Sequence, residues 1–237
     1  MNLILLFDED FVDADVVSLS GRRLQHVRDI HRAQVGDSLI VGKENGKIGL
    51  GHILDLDKNH ITLKTEFTSP PPAPLPLTLI MALPRPRVLN RTLIAATSMG
   101  VKNIYLLHTN RVEKSFWHSP VLGETKIHHS LVLGLEQGKD TVFPNVYLRK
   151  RFRPFVEDEL PEIAAETRKI VAHPQNATEA VAERTQPTTL VVGPEGGFIP
   201  YEIEKLQTVG FRNLSLGERI LRIETAVPVL ITKLMSQ

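Results

Sequence analysis

Two short stretches near the carboxyl end of the chain carry the residue types that could do chemistry. The first, LVVGPEGGFIPYE at residues 190–202, stops a β-branched run in a turn that holds three glycines, a proline and Glu195. The second, LSLGERILRIETAVPVL at residues 214–230, places Arg219, Arg222 and Glu224 before an apolar run. Glycines let the backbone approach a ligand closely, and arginines can bind or stabilise negative charge. The two stretches are therefore the candidates for a ligand site.

The glycine turn lacks the residues of the known phosphate-binding loops. A Walker loop needs a Lys followed by Ser or Thr, and a dinucleotide fingerprint reads G-x-G-x-x-G. Neither pattern occurs in GPEGGF, and Glu195 would repel a pyrophosphate. A glutamate among exposed amides is better suited to hydroxyl groups or to a cationic ligand. From the pattern alone, the turn is either a ligand loop or a tight structural turn.

The second stretch also allows two interpretations. Glu224 and Thr225 stand where a helix N-terminus favours acceptors, so Glu224 fits a capping carboxylate and Arg222 fits its ion-pair partner. The alternative is that the two side chains have a functional role at a ligand site. Both interpretations stay open at the level of sequence.

Strand-like and helix-like runs alternate after residue 76. The predicted strands are LTLIMAL, KNIYLLHT, RKIVAH, TTLVVG and NLSLG, and the predicted helices are VLNRTLIAATSMG, GETKIHHSLVLGLEQG, PYEIEKLQTVG and ETAVPVLITKLMSQ. This alternation predicts a parallel sheet covered by helices on both faces. Ligands bind at the carboxyl ends of such strands, which is where Gly193–Gly197 lies.

Residues 1–69 show a different pattern. DSLIVG and KIGLGHILDLD flank Asn45-Gly46, a strong signal for a two-residue hairpin turn, and HITLKTEF then alternates. Upstream, Leu24, Val27 and Ile30 are spaced three apart, which predicts a short amphipathic helix. A small β-barrel with one helix is the expected structure.

The clearest boundary is SPPPAPLP at residues 69–76, where five of eight residues are proline. Prolines at this density favour an extended spacer over a helix or a central strand. We therefore predict a domain at residues 1–69, a linker at 70–76 and a second domain at 77–237. A long surface loop within one domain is the alternative.

The composition excludes several classes of function. The chain has 237 residues with 42% hydrophobic content and no cysteine, which excludes disulfides, thiolate zinc sites and cysteine nucleophiles. No apolar run approaches the roughly 20 residues that span a bilayer, and the N-terminus lacks the features of a signal peptide. We expect a soluble cytoplasmic protein that does not associate with a membrane. The nine histidines show no H-E-x-x-H pattern, so we also expect no metal.

The net charge of +1 gives little whole-protein attraction for a polyanion. One local cluster is basic: RRLQHVRDIHR at residues 22–32 contains Arg22, Arg23 and Arg28. An ordinary solvated helix face is the alternative to a nucleic-acid contact there.

The two chemical stretches together resemble one family closely. GPEGGF followed by a glutamate, and then LG-x-RILR-x-ETA, is the signature of the 16S ribosomal RNA uracil-N3 methyltransferases, the RsmE family of the SPOUT class. In this chain the signature occupies residues 193–198, Glu202 and residues 216–226. The resemblance covers the whole chain, because the family also has an N-terminal PUA-like barrel.

The resemblance implies an α/β fold with a knot. A small N-terminal PUA-like β-barrel would precede a SPOUT-type knotted parallel sheet with helices on both faces, and the crossings of the knot would form the pocket for S-adenosyl-L-methionine. Family members act as homodimers. Carried over to this chain, the cofactor-binding residues are His173, Gly193, Pro194, Glu195, Gly196, Gly197, Leu216, Gly217, Ile220 and Leu221.

The implied reaction is methylation of N3 of a specific uridine in 16S ribosomal RNA of the small subunit. It is an in-line displacement that needs no metal, and the proton on N3 must leave. Arg222 is the candidate to stabilise the negative charge on uracil, and Glu224 either orients it or acts as the base. Arg22, Arg23 and Arg28 are the candidates for contact with the 16S rRNA or the small ribosomal subunit.

Two segments depart from the family pattern. The family's K-A-T-E-L-G helix reads AATSMG at Ala95–Gly100, and its E-Q-S-G-R reads EQGKD at Glu136–Asp140. The cofactor motifs are intact, but surfaces that receive RNA or a partner subunit are altered. A paralogue with another RNA target, or an RNA-binding protein with a degenerate pocket, is therefore the alternative function. A nucleotide-dependent metabolic enzyme would need a phosphate loop that the sequence lacks.

Overall fold

The chain divides into two compact units in the computed structural model, which describes residues 1–174 and 186–235. The first unit comprises Met1–Ala73 and Leu131–Phe143, and the second comprises Pro74–Ser130 and Pro144–Gln237. The segment Leu131–Phe143 belongs by its contacts to the first unit, although it lies inside the predicted domain at 77–237.

The first unit contains one mixed sheet. Its strands are β1 Ile4–Leu6, β2 Val16–Leu19, β3 Ser38–Lys43, β4 Ile48–Leu56 and β5 Ile61–Ser69, in the order β1-β3-β4-β5-β2. β1 pairs with β3 in parallel, and the other neighbours are antiparallel. The hairpin between β3 and β4 turns at Asn45, whose φ of 52° is the left-handed conformation that such a turn requires.

A short helix in the first unit changes its pitch halfway along. α1 spans Gly21–His26 and continues into a π-helical turn at Val27–His31. Leu24 and Val27 are buried as predicted, but Ile30 is 67% exposed, so the prediction for Ile30 is wrong. The wider π-helical turn changes the spacing and takes Ile30 off the buried face.

Two carboxylates of the segment Glu136–Asp140 have structural partners within the first unit. The buried Glu136 carboxylate lies 2.8 Å from Nη1 of Arg22. The Asp140 carboxylate is also buried, and it accepts hydrogen bonds from the backbone N–H groups of Thr141 and Val142. Glu136 thus links this segment to α1, and Asp140, which replaces the arginine of the family pattern, stabilises the turn at residues 140–142.

The second unit contains a six-stranded sheet in which every neighbouring pair is parallel. Its strands are β6 Leu77–Ala82, β7 Asn103–Leu107, β8 Asn145–Arg149, β9 Arg168–Ala172, β10 Thr188–Val192 and β11 Arg212–Leu214, in the order β11-β9-β10-β6-β7-β8. The predicted parallel sheet is confirmed. β8 was not predicted, because an edge strand without a fully buried residue lacks the continuous apolar run of an interior strand.

Six further helices and four shorter helical turns complete the described part of the chain. They are α2 Pro86–Ser98, α3 Glu124–Gly138, α4 Phe152–Pro154, α5 Leu160–Ile163, α6 Pro200–Thr208 and α7 Ile223–Met235, with a π-helical turn at Phe155–Glu159 and 3-10 turns at Asp8–Asp10, Lys114–His118 and Pro120–Leu122. The helical segment at residues 152–163 was not predicted, because two prolines and an acidic run hide its apolar period.

Two hydrophobic cores cover the two faces of the parallel sheet. Leu190 and Val192 of β10 face the core that includes Leu89 of α2 and Val227 of α7. Val191 faces the opposite core, whose members from outside the sheet include Phe155, Leu160, Ile203 and Leu206. Alternate residues of one strand thus enter different cores, as a sheet covered on both faces requires.

The part of the chain that the structure describes contains no helix with both the length and the apolar character needed to cross a membrane.

Candidate active site

A cavity of about 940 Å³ opens at the carboxyl ends of β9, β10 and β11. These strands are neighbours in the sheet, so the loops that follow them meet at one edge. Its walls are His173 and Pro174 after β9, Gly193–Phe198 after β10 and Ser215–Arg222 after β11. The volume lies within the usual range for small-molecule sites.

The cavity brings the two chemical stretches of the sequence together. All ten residues predicted to bind a cofactor line it: His173, Gly193, Pro194, Glu195, Gly196, Gly197, Leu216, Gly217, Ile220 and Leu221. Arg222 lines it as well, whereas Glu224 is not among the lining residues. Gly196 and Leu221, which come from different loops, therefore share one cavity.

Two glycines of the cavity wall have backbone angles that other residues rarely adopt. Gly197 has φ of 72° and closes the turn by donating its N–H to the Pro194 carbonyl at 2.8 Å. Gly217, in the loop after β11, has φ of 104°. At both positions a side chain would strain the backbone, which explains the glycines in structural terms.

Two arginines tie the glycine turn to the neighbouring strand ends. The backbone N–H of Arg85, after β6, donates to Oε1 of Glu195 at 3.1 Å. Arg111, after β7, donates from Nη1 to the Gly196 carbonyl. A Cβ atom on Gly196 would lie 3.1 Å from Cδ of Arg111, so the arginine packs directly on the bare backbone. Sequence reasoning missed Arg111, because nothing in NRVEK marks it.

Glu202 adds a third connection between these loops. Its buried carboxylate accepts from the backbone N–H of Asn110 at 2.7 Å and from that of Ile199 at 3.0 Å. The second bond caps the start of α6. The glutamate of the sequence motif thus fixes the loop after β7 against the end of the glycine turn.

We expect Glu202→Ala to lower the free energy of unfolding by about 2 kcal/mol, because two backbone N–H groups lose their acceptor in a buried place. Chemical denaturation measures this. Glu204→Ala is the matched control, since Glu204 is exposed on the same helix and its loss should change stability by less than about 0.5 kcal/mol. Equal effects of the two variants would contradict the assigned role of Glu202.

The chemical character of the cavity is mixed. Its floor is apolar and consists of residues such as Ala172, Val192, Leu214, Ile223 and Leu230. The residues that line the cavity also include three acidic and three basic side chains: Glu195, Glu204, Glu218, Arg111, Arg219 and Arg222. Such a site suits a ligand with an apolar ring and charges of both signs, and it does not favour a polyphosphate.

Comparison with known proteins identifies the family. The model of the RNA methyltransferase domain matches residues 71–235, which include all three cavity loops. The chain belongs to the RNA methyltransferase domain family. The resemblance carried by residues 193–226 is confirmed.

Relatives of this RNA methyltransferase extend over nearly its whole length. It is 28% identical to the ribosomal RNA small subunit methyltransferase E of Treponema pallidum, over 95% of this chain and 87% of that protein. It is 25% identical to ribosomal RNA small subunit methyltransferase E 1 of Borreliella burgdorferi, over 95% of this chain and 94% of that protein. The similarity thus includes both units.

Solved structures share the fold of this RNA methyltransferase. The ribosomal RNA small subunit methyltransferase E of Neisseria gonorrhoeae, bound to S-adenosyl methionine, superimposes with a TM-score of 0.73 at 20% identity, over 97% of this chain and 95% of that chain. A putative methyltransferase of Legionella pneumophila in complex with the same cofactor also gives 0.73, at 22% identity, over 98% and 95%.

The two predicted catalytic residues of this RNA methyltransferase differ in their surroundings. Arg222 is exposed in the cavity, and among the described residues its guanidinium has no hydrogen-bond or ion-pair partner. Its carbonyl accepts the first backbone bonds of α7, from Thr225 and Ala226, which fixes its position. Glu224 lies in the first turn of α7 and makes no ion pair with Arg222. The structure thus leaves Arg222 available to a ligand.

The three arginines predicted to contact RNA are used differently within the first unit. Arg23 forms a bidentate ion pair with Asp10, with both N–O distances at 2.6 Å, and donates to the Leu5 carbonyl, so its guanidinium is occupied by the fold. Arg22 pairs with Glu136 but stays 41% exposed. Arg28 is exposed and donates to the Lys58 carbonyl at 3.3 Å.

One group of side chains has the composition of a metal site. Asp55, Asp57 and His60 bring their potential ligand atoms within 4.8 Å of one another in the first unit. The Asp57 carboxylate already accepts the backbone N–H groups of Asn59 and His60, which stabilise it and lower its pKa. We assign no function to this exposed turn.

Proposed function

We propose that this protein methylates N3 of a specific uridine in 16S ribosomal RNA of the small subunit, with S-adenosyl-L-methionine as methyl donor. One observation carries the proposal: the glycine turn and the loop with Arg222, which hold the two halves of the sequence signature, line the same cavity. The Treponema and Borreliella relatives are named as small-subunit ribosomal RNA methyltransferases, which supports the same substrate class.

The residues of the cavity fit this cofactor. The apolar floor suits an adenine ring, and the exposed backbone of Gly193–Gly197 and Leu216–Leu221 offers amide and carbonyl groups to a nucleoside. The carboxylate of Glu195 suits a positive charge, and Arg219 suits a carboxylate. When bound, the cofactor supplies a methyl group that its sulfonium makes electrophilic.

The contribution of the chain is to position the uracil and to stabilise charge. Uracil must be unpaired to expose N3, and the proton on N3 must leave. The guanidinium of Arg222 stabilises the negative charge that then develops on the carbonyl oxygens of the base. Glu224 is the candidate proton acceptor that the sequence offers. It does not line the cavity, however, which favours the alternative role, in which its negative charge stabilises the N-terminus of α7.

The proposal includes the finer features of the fold. The second unit is a SPOUT-type knot and the first is a PUA-like RNA-binding barrel, in a cytoplasmic homodimer. The homodimer rests on the family resemblance. Arg22 and Arg28 are proposed RNA contacts of the first unit. Arg23 is not proposed as an RNA contact, because its ion pair with Asp10 gives it a structural role.

Calorimetry and mass spectrometry test the function together. We expect the purified protein to bind S-adenosyl-L-methionine and to methylate one uridine in small ribosomal subunits from a strain that lacks the gene. Ribosomal RNA from that strain should lack the same modification. Binding without methylation of 16S RNA would favour a paralogue with another target. No binding at millimolar cofactor would favour an RNA-binding protein with a degenerate pocket.

A further inference from the structure

The carboxyl edge of the parallel sheet has two chemically different halves. The cavity occupies the half formed by β9, β10 and β11. The other half is formed by β6, β7 and β8, which end in register, since Ala82 pairs with Leu107 and Leu107 pairs with Arg149. The residues that follow these three strands therefore lie side by side along the same edge.

Basic side chains follow each of these three strand ends. They are Arg85 and Arg87 after β6, Arg111 after β7, and Lys150 and Arg151 after β8. All five are exposed, and we call them the basic rim. We propose that the basic rim binds the phosphate backbone of the unpaired RNA strand that carries the target base, an inference that rests on the proposed function.

The cations of the basic rim are not neutralised within the fold. Among the described residues, none of the five has a carboxylate within ion-pair distance. Three cations near the rim in sequence or on a neighbouring helix of the same unit are paired by contrast: Arg149 with Glu159 at 2.6 Å, and Arg153 and Lys205 with Glu157 at 2.9 and 2.6 Å. A group of unpaired basic side chains at one edge is typical of a protein surface that binds a polyanion.

The backbone that carries the basic rim is held in place. Pro84 and Pro86 flank Arg85, whose N–H is bound by Glu195, so this segment has little freedom. In the loops that follow β7 and β8, Nε1 of Trp117 donates to Nδ1 of His108 at 2.8 Å. Nζ of Lys150 lies 5.8 Å from the centroid of the Trp117 ring. Burial lowers the pKa of His108, which keeps its ring neutral and able to accept that bond.

Arg111 joins the basic rim to the cavity. It lines the cavity and is also the rim residue after β7. One of its N–H groups binds the Gly196 carbonyl, and its remaining donors are available to a ligand. An RNA strand whose phosphates follow the basic rim would thus place an unstacked base at the mouth of the cavity. An acidic protein partner could pair with the same cations, but its binding would not require the basic rim to lead into the cavity.

The test reverses single charges and measures RNA binding without cofactor. Arg87→Glu and Arg151→Glu should each weaken the binding of an unpaired oligouridylate about fivefold at low salt. Each should also flatten the plot of log affinity against log salt by about 0.7, the value for one lost phosphate contact on a single strand. Arg87→Glu should fold, since an acid in the first turn of α2 complements the helix dipole.

Arg212→Glu is the matched control. Arg212 is exposed in the same unit, but it lies on β11, at the opposite end of the strand order from β8, and it does not line the cavity. It should keep wild-type affinity and slope, and all three variants should bind S-adenosyl-L-methionine like the wild type.

Wild-type RNA binding by both rim variants, or an equal loss in the control, would overturn the proposal. So would a parallel loss of cofactor affinity, since the effect would then belong to the cavity. A protein that binds RNA through the rim but methylates no ribosomal RNA would instead refute the proposed function alone.

Discussion

Arg222→Ala is expected to reduce the rate of methyl transfer about 100- to 1000-fold while cofactor affinity changes little. Removing one preorganised donor from a developing oxyanion costs about 2.7–4 kcal/mol of transition-state stabilisation in other enzymes, which corresponds to this factor. Arg222 meets the structural conditions for such a donor, because it lines the cavity and has no partner among the described residues. Single-turnover kinetics and calorimetry measure the two quantities separately.

Two further variants make this prediction specific. Arg222→Lys keeps the positive charge and should recover part of the rate, whereas Arg212→Ala removes an exposed arginine that does not line the cavity and should leave the rate unchanged. If Arg222→Ala lost cofactor affinity and rate by the same factor, Arg222 would be a binding or structural residue and would have no special role in the transition state.

Gly217→Ala is expected to weaken cofactor binding by about 5- to 150-fold. A Cβ atom at this position would meet no heavy atom within 4 Å, so the variant would suffer no clash. The φ of 104° is nevertheless costly for alanine, at about 1–3 kcal/mol. The loop would relax to relieve this strain, and restoring its shape would cost the same free energy upon binding.

Gly210→Ala is the control that separates the effect of backbone strain on folding stability from its effect on cofactor affinity. Gly210 ends α6 with φ of 95°, close to that of Gly217, but it lies outside the cavity. Its substitution should lower the free energy of unfolding by about 1–3 kcal/mol and leave cofactor affinity unchanged. Calorimetry with S-adenosyl-L-methionine checks both variants. Normal affinity in Gly217→Ala would show that the loop after β11 does not shape the binding site.

Local patterns were sufficient for most of the second unit. Strands such as TTLVVG and helices such as PYEIEKLQTVG have lengths and apolar periods that neighbouring residues determine, and the structure places them as β10 and α6. The hairpin at Asn45-Gly46 has the same local origin, since it depends on backbone angles of the turn itself. Patterns failed where the period was disturbed, at the π-helical turn that exposes Ile30 and at the half-exposed edge strand β8.

The carboxylates and arginines show what sequence could not provide. Glu195 binds a backbone N–H 110 positions away, and Arg111 binds a carbonyl 85 positions away. Arg23 belonged by spacing to a basic helix face, yet its partner Asp10 makes it part of the fold. Such pairings depend on which strand ends become neighbours, and residue spacing along the chain does not encode that.

The sequence by itself determined the parallel α/β unit, its two signature stretches and the identity of the glycines that shape them, because each of these depends on residues close together in the chain. Only the tertiary structure decided that both stretches line one cavity, that Arg111 and Glu202 hold the glycine turn, and that five cations lie along one edge. The order of the strands brings these groups together, and that order results from the packing of the whole sheet.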